Sequence, residues 1–84
     1  EVAYAQRVAA NGASDLLVQR AIRGVGHCDF TAAEFATGFL DLMNWLDTGV
    51  KPAGDNWLDP AVVADPAFGC TFTNGDHLLG TPCP

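Results

Sequence analysis

The fold is decided by residues 20–34, which read RAIRGVGHCDFTAAE. The second half of this stretch has the pattern of a helix start. Thr31 is predicted as the N-cap and Glu34 as the third helical residue, so that each side chain bonds the free backbone N–H of the other in a capping box. Apolar residues then recur at helical spacing. The sequence therefore predicts a helix over 31–48 that ends at Gly49.

Upstream of this helix, an apolar run followed by a return of Ala21 and Ile22 between polar residues is typical of a strand near a sheet edge. Two glycines close it. Because one strand cannot form a sheet, the order of elements predicts a C-terminal piece of a single α/β domain, spanning residues 1–84. The predicted elements are a helix at 1–11, a strand at 16–23, a histidine loop at 24–30, a helix at 31–48 and a loop-rich tail at 49–84. Within the tail, Asp59-Pro60 predicts one short helical turn.

The composition also indicates a piece of a larger protein. Of the 84 residues, 49% are hydrophobic and 17% are charged, which is a low charged share for a short chain. Some apolar surface is therefore expected to pack against polypeptide not included here, and the chain opens at Glu1 without a basic leader or Met. A net charge of −6 argues against nucleic acid and anionic membranes as partners, and no apolar run reaches the length of a membrane span.

His27 is the most informative position for function. It lies between the predicted strand and the capped helix, where α/β proteins collect functional groups, and a histidine there can act as a general base near neutral pH. The run Gly26-His27-Cys28-Asp29-Phe30-Thr31-Ala32-Ala33-Glu34, with the helix and loop that follow it, resembles the last strand, catalytic histidine and last helix of α/β-hydrolase-fold serine hydrolases. The similarity is to bacterial secreted-type members and spans roughly residues 1–73.

The resemblance implies that the parent protein cleaves esters or amides through an acyl-enzyme. His27 would accept the proton of a serine and be oriented by a carboxylate, and in this family both precede the histidine in the chain. Ser14 is the only serine here and lacks the Gly-x-Ser-x-Gly setting. The resemblance thus implies a chain that is inactive alone, whose partners are the remainder of the parent chain and a small-molecule ester or amide. It implies no cofactor and no metal.

The cysteines leave several alternatives open. There are three, so at most one internal disulfide can form, and either Cys28–Cys70 or Cys70–Cys83 is possible. A disulfide would indicate an oxidising compartment, and we expect an extracellular or periplasmic location. A His27–Cys28 catalytic dyad is disfavoured because adjacent side chains diverge. No Cys-x-x-Cys or His-x-x-x-His pair supports a zinc site. Such a site would have five possible donors: His27, Cys28, Cys70, His77 and Cys83.

A competing hypothesis is a small stand-alone interaction module, stapled by one disulfide and without enzymatic activity. It would use exposed aromatic residues such as Trp45 and Trp57, although aromatic residues are more often part of a core. His77 lies in a predicted turn, where a solvent-exposed histidine is expected, and no role is assigned to it. Asp29 is close enough in sequence to tune His27, but a carboxylate on the loop surface is the simpler expectation.

Overall fold

The structure of the chain, a computed structural model, describes residues 1–25, 29–75, 77 and 82–84. Within these ranges the regular elements are helical. They are α1 at Val2–Ala10, a 3-10 turn at Ser14–Leu16, α2 at Ala32–Thr48 and α3 at Pro60–Ala64. No β-strand occurs in the described ranges, so the predicted α/β class and the strand predicted over 16–23 are both wrong.

The segment 17–25 contains no regular secondary structure, although Leu17 at its start is extended. Its backbone groups bond to loops and side chains: the Gln19 carbonyl accepts a hydrogen bond from the Asp55 N–H at 2.8 Å. Further along, the Ala21 N–H donates to Asp55 Oδ2 at 2.7 Å, and the Arg23 N–H donates to Thr73 Oγ1 at 3.0 Å. A ladder needs a second extended chain in register, and the tail supplies single side chains instead. The apolar pattern therefore forms no sheet in the described residues.

Helix α2 confirms the predicted start and end signals. The Glu34 N–H donates to Thr31 Oγ1 at 3.1 Å, and the Thr31 N–H donates to Glu34 Oε1 at 2.8 Å, which completes the capping box. At the other end Gly49 adopts a left-handed conformation, with φ of 73°. A residue with a Cβ would be strained there, so the glycine fixes where the helix ends.

Replacing Thr31 with Ala should lower the free energy of unfolding by about 1 kcal/mol, because the helix loses its N-cap acceptor. Thr31→Ser keeps the hydroxyl and should stay close to the wild type. Urea unfolding followed by far-UV circular dichroism measures both variants. Equal stability of the Ala and Ser variants would show that the hydroxyl does not cap α2.

The two shorter helices follow local signals as well. Asp59 caps α3, where its Oδ1 accepts a hydrogen bond from the Ala61 N–H at 2.9 Å and Pro60 occupies the first helical position. This confirms the helical turn predicted at Asp59-Pro60. Helix α1 covers most of the predicted range 1–11 and ends at Ala10, with Asn11 as its C-cap.

The described residues build very little core. Ala5 is the only apolar residue among them that is buried. The apolar side chains of α2 are instead exposed, with Phe35 at 71% and Leu46 at 73% of their full accessible area. Phe39, Leu40, Leu42 and Met43 are exposed on the same helix. A contiguous apolar surface of this kind marks a site for contact with other protein or a ligand.

The side chain of Arg23 connects segment 17–25 to the later part of the tail. Its guanidinium donates to the Phe68 carbonyl from Nε at 3.0 Å and from Nη2 at 2.9 Å, to the Pro82 carbonyl at 3.0 Å, and to the Pro66 carbonyl. Cys70 and Cys83 form a disulfide with Cα atoms 5.8 Å apart. The Arg23 guanidinium and the disulfide thus both join the start of segment 66–83 to its end.

No helix in the described ranges is long and apolar enough to cross a bilayer. The Cys70–Cys83 disulfide is compatible with an extracellular location. The location itself stays a prediction.

Candidate functional site

Two residues near the ends of the predicted histidine loop, Gly24 and Asp29, lie in contact, and we call this pair the loop base. A Cβ atom built on Gly24 would overlap the Asp29 carbonyl oxygen, and it would lie 3.2 Å from Asp29 Oδ2. Gly24 and Asp29 are therefore in direct backbone contact, and only a residue without a side chain permits this approach. His27 and Cys28, which belong to the segment between them, lie outside the described residues.

A second histidine, His77, lies directly against this loop base. Its Nε2 is 2.8 Å from Glu34 Oε1 and 2.9 Å from Glu34 Oε2, and its Nδ1 is 3.2 Å from Asp29 Oδ2. Only 3% of the His77 side chain is exposed. The expectation of a solvent-exposed His77 is therefore wrong, and both ring nitrogens face carboxylates instead.

The charges of this cluster favour a protonated ring. Hydrogen bonding to Glu34 raises the pKa of His77 above its ordinary value of 6.5, against the opposing effect of burial, and Asp29 adds to the increase. Two ring N–H donors facing two carboxylates require the imidazolium form. His77 is therefore a structural cation in this arrangement. With both nitrogens engaged it cannot accept a proton from a substrate or a nucleophile.

Glu34 is the buried partner of this cation, with 1% of its side chain exposed. Burial favours the neutral acid, but the hydrogen bonds from His77 and from the Thr31 and Asn74 backbone outweigh it and lower the pKa of Glu34 below its ordinary value of 4.5. The Asn74 N–H donates to Glu34 Oε2 at 2.7 Å. A residue predicted only as a helix cap thus also anchors the tail to α2.

Asp29 is the accessible member of the cluster, with 39% of its side chain exposed. The expectation of a carboxylate at the loop surface fits this exposure, but its closest charged partner in the described structure is His77. The sequence offers no local signal for the pair, because the two residues are far apart in the chain. Only the fold brings them together.

The cysteines resolve into one of the two pairings that the sequence leaves open, Cys70–Cys83. The disulfide removes two thiolates from the alternative zinc set, since a disulfide sulfur is not the thiolate ligand that zinc binds. The carboxylates on both His77 nitrogens occupy a third donor of that set. The zinc alternative is correspondingly weakened.

Beside the cluster, α2, segment 17–25 and residues 71–74 line an open groove of about 560 Å³. Its walls include Ile22, Phe30, Phe35 and Phe39. Arg20 spans the groove: its guanidinium is 2.7 Å from Asp41 Oδ2 and stands 4.2 Å from the centre of the Phe72 ring. The apolar walls continue onto the exposed face of α2.

Comparison of the chain with protein-family models, with curated proteins and with solved structures finds no match.

Proposed function

We propose that this chain carries the general-base histidine, His27, of a serine-type hydrolase that cleaves small-molecule esters or amides through an acyl-enzyme. The nucleophilic serine and the orienting acid belong to polypeptide outside this sequence. One observation carries the proposal: the histidine-bearing run that resembles the hydrolases is flanked by Gly24 and Asp29, which are held in direct contact.

The contact matters because general-base catalysis depends on position. A base must lie within about 3 Å of the proton that it accepts, and misplacement by about 1 Å can cost a hundredfold in rate. A loop whose ends touch has fewer conformations available than a loop with free ends. The pinned ends at Gly24 and Asp29 would therefore support a histidine between them.

The two histidines also divide the possible roles. His77 is enclosed by Glu34 and Asp29 and has no nitrogen left for proton transfer. His27 is the other histidine in the chain. The catalytic proposal therefore rests on His27 alone, as the resemblance implies.

The exposed face of α2 supports a role inside a larger assembly. Phe35, Phe39 and Leu46 each leave more than half of their surface uncovered, while the described residues bury only Ala5 as an apolar core. A chain that contributes one catalytic residue to a larger hydrolase would cover this face with the remaining polypeptide.

A fluorophosphonate probe tests the proposal, because it reacts covalently with serines activated by a histidine. The complete polypeptide that contains this sequence should be labelled at a serine other than Ser14, and prior denaturation should prevent the labelling. No labelling of the native polypeptide would contradict the proposal.

The exposed α2 face is also what a stand-alone interaction module would present. If the probe does not react and the chain self-associates through Phe35 and Leu46, measured by sedimentation with Phe35→Ser and Leu46→Ser as controls, the module becomes the better explanation.

A further inference from the structure

Resting on the proposed role of His27, we propose that His77 is a positioning residue for the catalytic loop, because its ring fixes Asp29 at the end of that loop to Glu34 at the start of α2. The His77 ring contacts the carboxylates of both residues.

The two ring nitrogens of His77 face residues of two different segments. Nε2 bonds Glu34, which belongs to a helix of 17 residues and is itself held by the capping box. Nδ1 faces Asp29, which precedes that helix and ends the loop. A movement of the loop end relative to α2 would have to break one of these two contacts.

The same ring also restrains the other end of the loop. A Cβ on Gly24 would lie 3.3 Å from His77 Nδ1 and 3.2 Å from Asp29 Oδ2. Gly24 is therefore packed against both members of the ion pair. Gly24 and Asp29 therefore both lie against the buried imidazole of His77.

The tail keeps the ring in place. His77 lies between Cys70 and Cys83 in the chain, so the disulfide closes the segment that carries it. Just before it, the Asn74 N–H donates to Glu34 and the Asn74 carbonyl accepts from Thr31 Oγ1 at 2.6 Å. The tail thus places the His77 cation against the loop base. It is attached before His77 through Asn74 and after His77 through Cys83.

The contact has a defined dependence on pH. Asp29 and Glu34 are the charged groups that face the ring in the described structure. Because the folded pKa of His77 is raised above 6.5, the stabilisation is complete below that value and is lost as the pH rises through the folded pKa. A neutral ring keeps one N–H, so it leaves one carboxylate facing a lone pair.

Two variants test the proposal in the complete polypeptide that contains this sequence. His77→Gln cannot donate to both carboxylates and does not titrate. Its kcat should fall about tenfold with KM within about twofold of the wild type, and the alkaline loss of activity caused by His77 should disappear. Asp29→Asn is the milder variant, since Asp29 is partly exposed. It removes a charge that raises the pKa of His77, so the alkaline limb of kcat should move to lower pH.

Two results would overturn the inference. One is a His77→Gln variant with the kcat and pH profile of the wild type, or with lower thermal stability as its only change. The other is an Asp29→Asn variant whose alkaline limb stays in place. His27→Ala separates this inference from the proposed function: an active His27→Ala enzyme contradicts the function itself. An inactive one together with unchanged His77 and Asp29 variants contradicts only the positioning role.

Discussion

Replacing His27 with Ala in the complete polypeptide is expected to abolish ester or amide turnover, with kcat lower by at least about 10³-fold. Removal of a general base costs about 10²–10⁴-fold by itself, and a histidine that activates a serine acts as a unit with it, so the loss falls at the upper end. Hydrolysis of a chromogenic ester and of the corresponding anilide measures the effect on both substrate classes.

The folded state should survive this change. The contacts that define the cluster join His77, Glu34 and Asp29, and the substitution changes none of these three residues. The thermal unfolding midpoint of His27→Ala should therefore match that of the wild type, and His77→Gln serves as the matched histidine control. A His27→Ala enzyme that retains a tenth of the wild-type kcat would remove His27 from the catalytic machinery.

Removing the Cys70–Cys83 disulfide is expected to lower the free energy of unfolding by about 3 kcal/mol. The bond closes a loop with a sequence separation of 13 residues, and a loop of about 15 residues gives roughly this value through the entropy of the unfolded chain. The effect is large relative to the sparse apolar core of the described residues, because small domains depend on such cross-links.

The double variant Cys70→Ser/Cys83→Ser is the appropriate test. A single substitution would leave a thiol that an oxidant could join to Cys28 in a new disulfide. Urea unfolding should show the loss in the double variant, and dithiothreitol should lower the stability of the wild type by the same amount while leaving the double variant unchanged. An identical unfolding midpoint for the wild type and the double variant would contradict a stabilising role.

The features that sequence could predict are those that depend on near neighbours. The capping box joins residues three apart, the αL ending needs only Gly49, and the α3 start needs only Asp59 with the residues after it. In each case the interacting residues are close neighbours in the sequence, so the feature does not depend on distant parts of the chain.

The strand over 16–23 and the role of His77 could not be predicted in this way. An extended segment becomes a strand only when a second one lies beside it. The backbone groups of Gln19, Ala21 and Arg23 instead bond tail residues at sequence separations of 34 to 50. His77 meets Glu34 across a separation of 43 residues. No local pattern encodes a contact of that range, and a histidine in a turn looks the same whether it is exposed or buried.

The long range of the His77–Glu34 contact also sets an order of events during synthesis on the ribosome. Helix α2 and its capping box can form as soon as residues 31–48 have emerged. The contacts of the Glu34 carboxylate with Asn74 and His77 form only later, because those two residues are synthesised later. Cys83 must leave the exit tunnel before the disulfide can close. The loop base is therefore completed last, after translation has passed almost the whole of this sequence, and a nascent chain stalled before His77 would hold a capped helix without its cation.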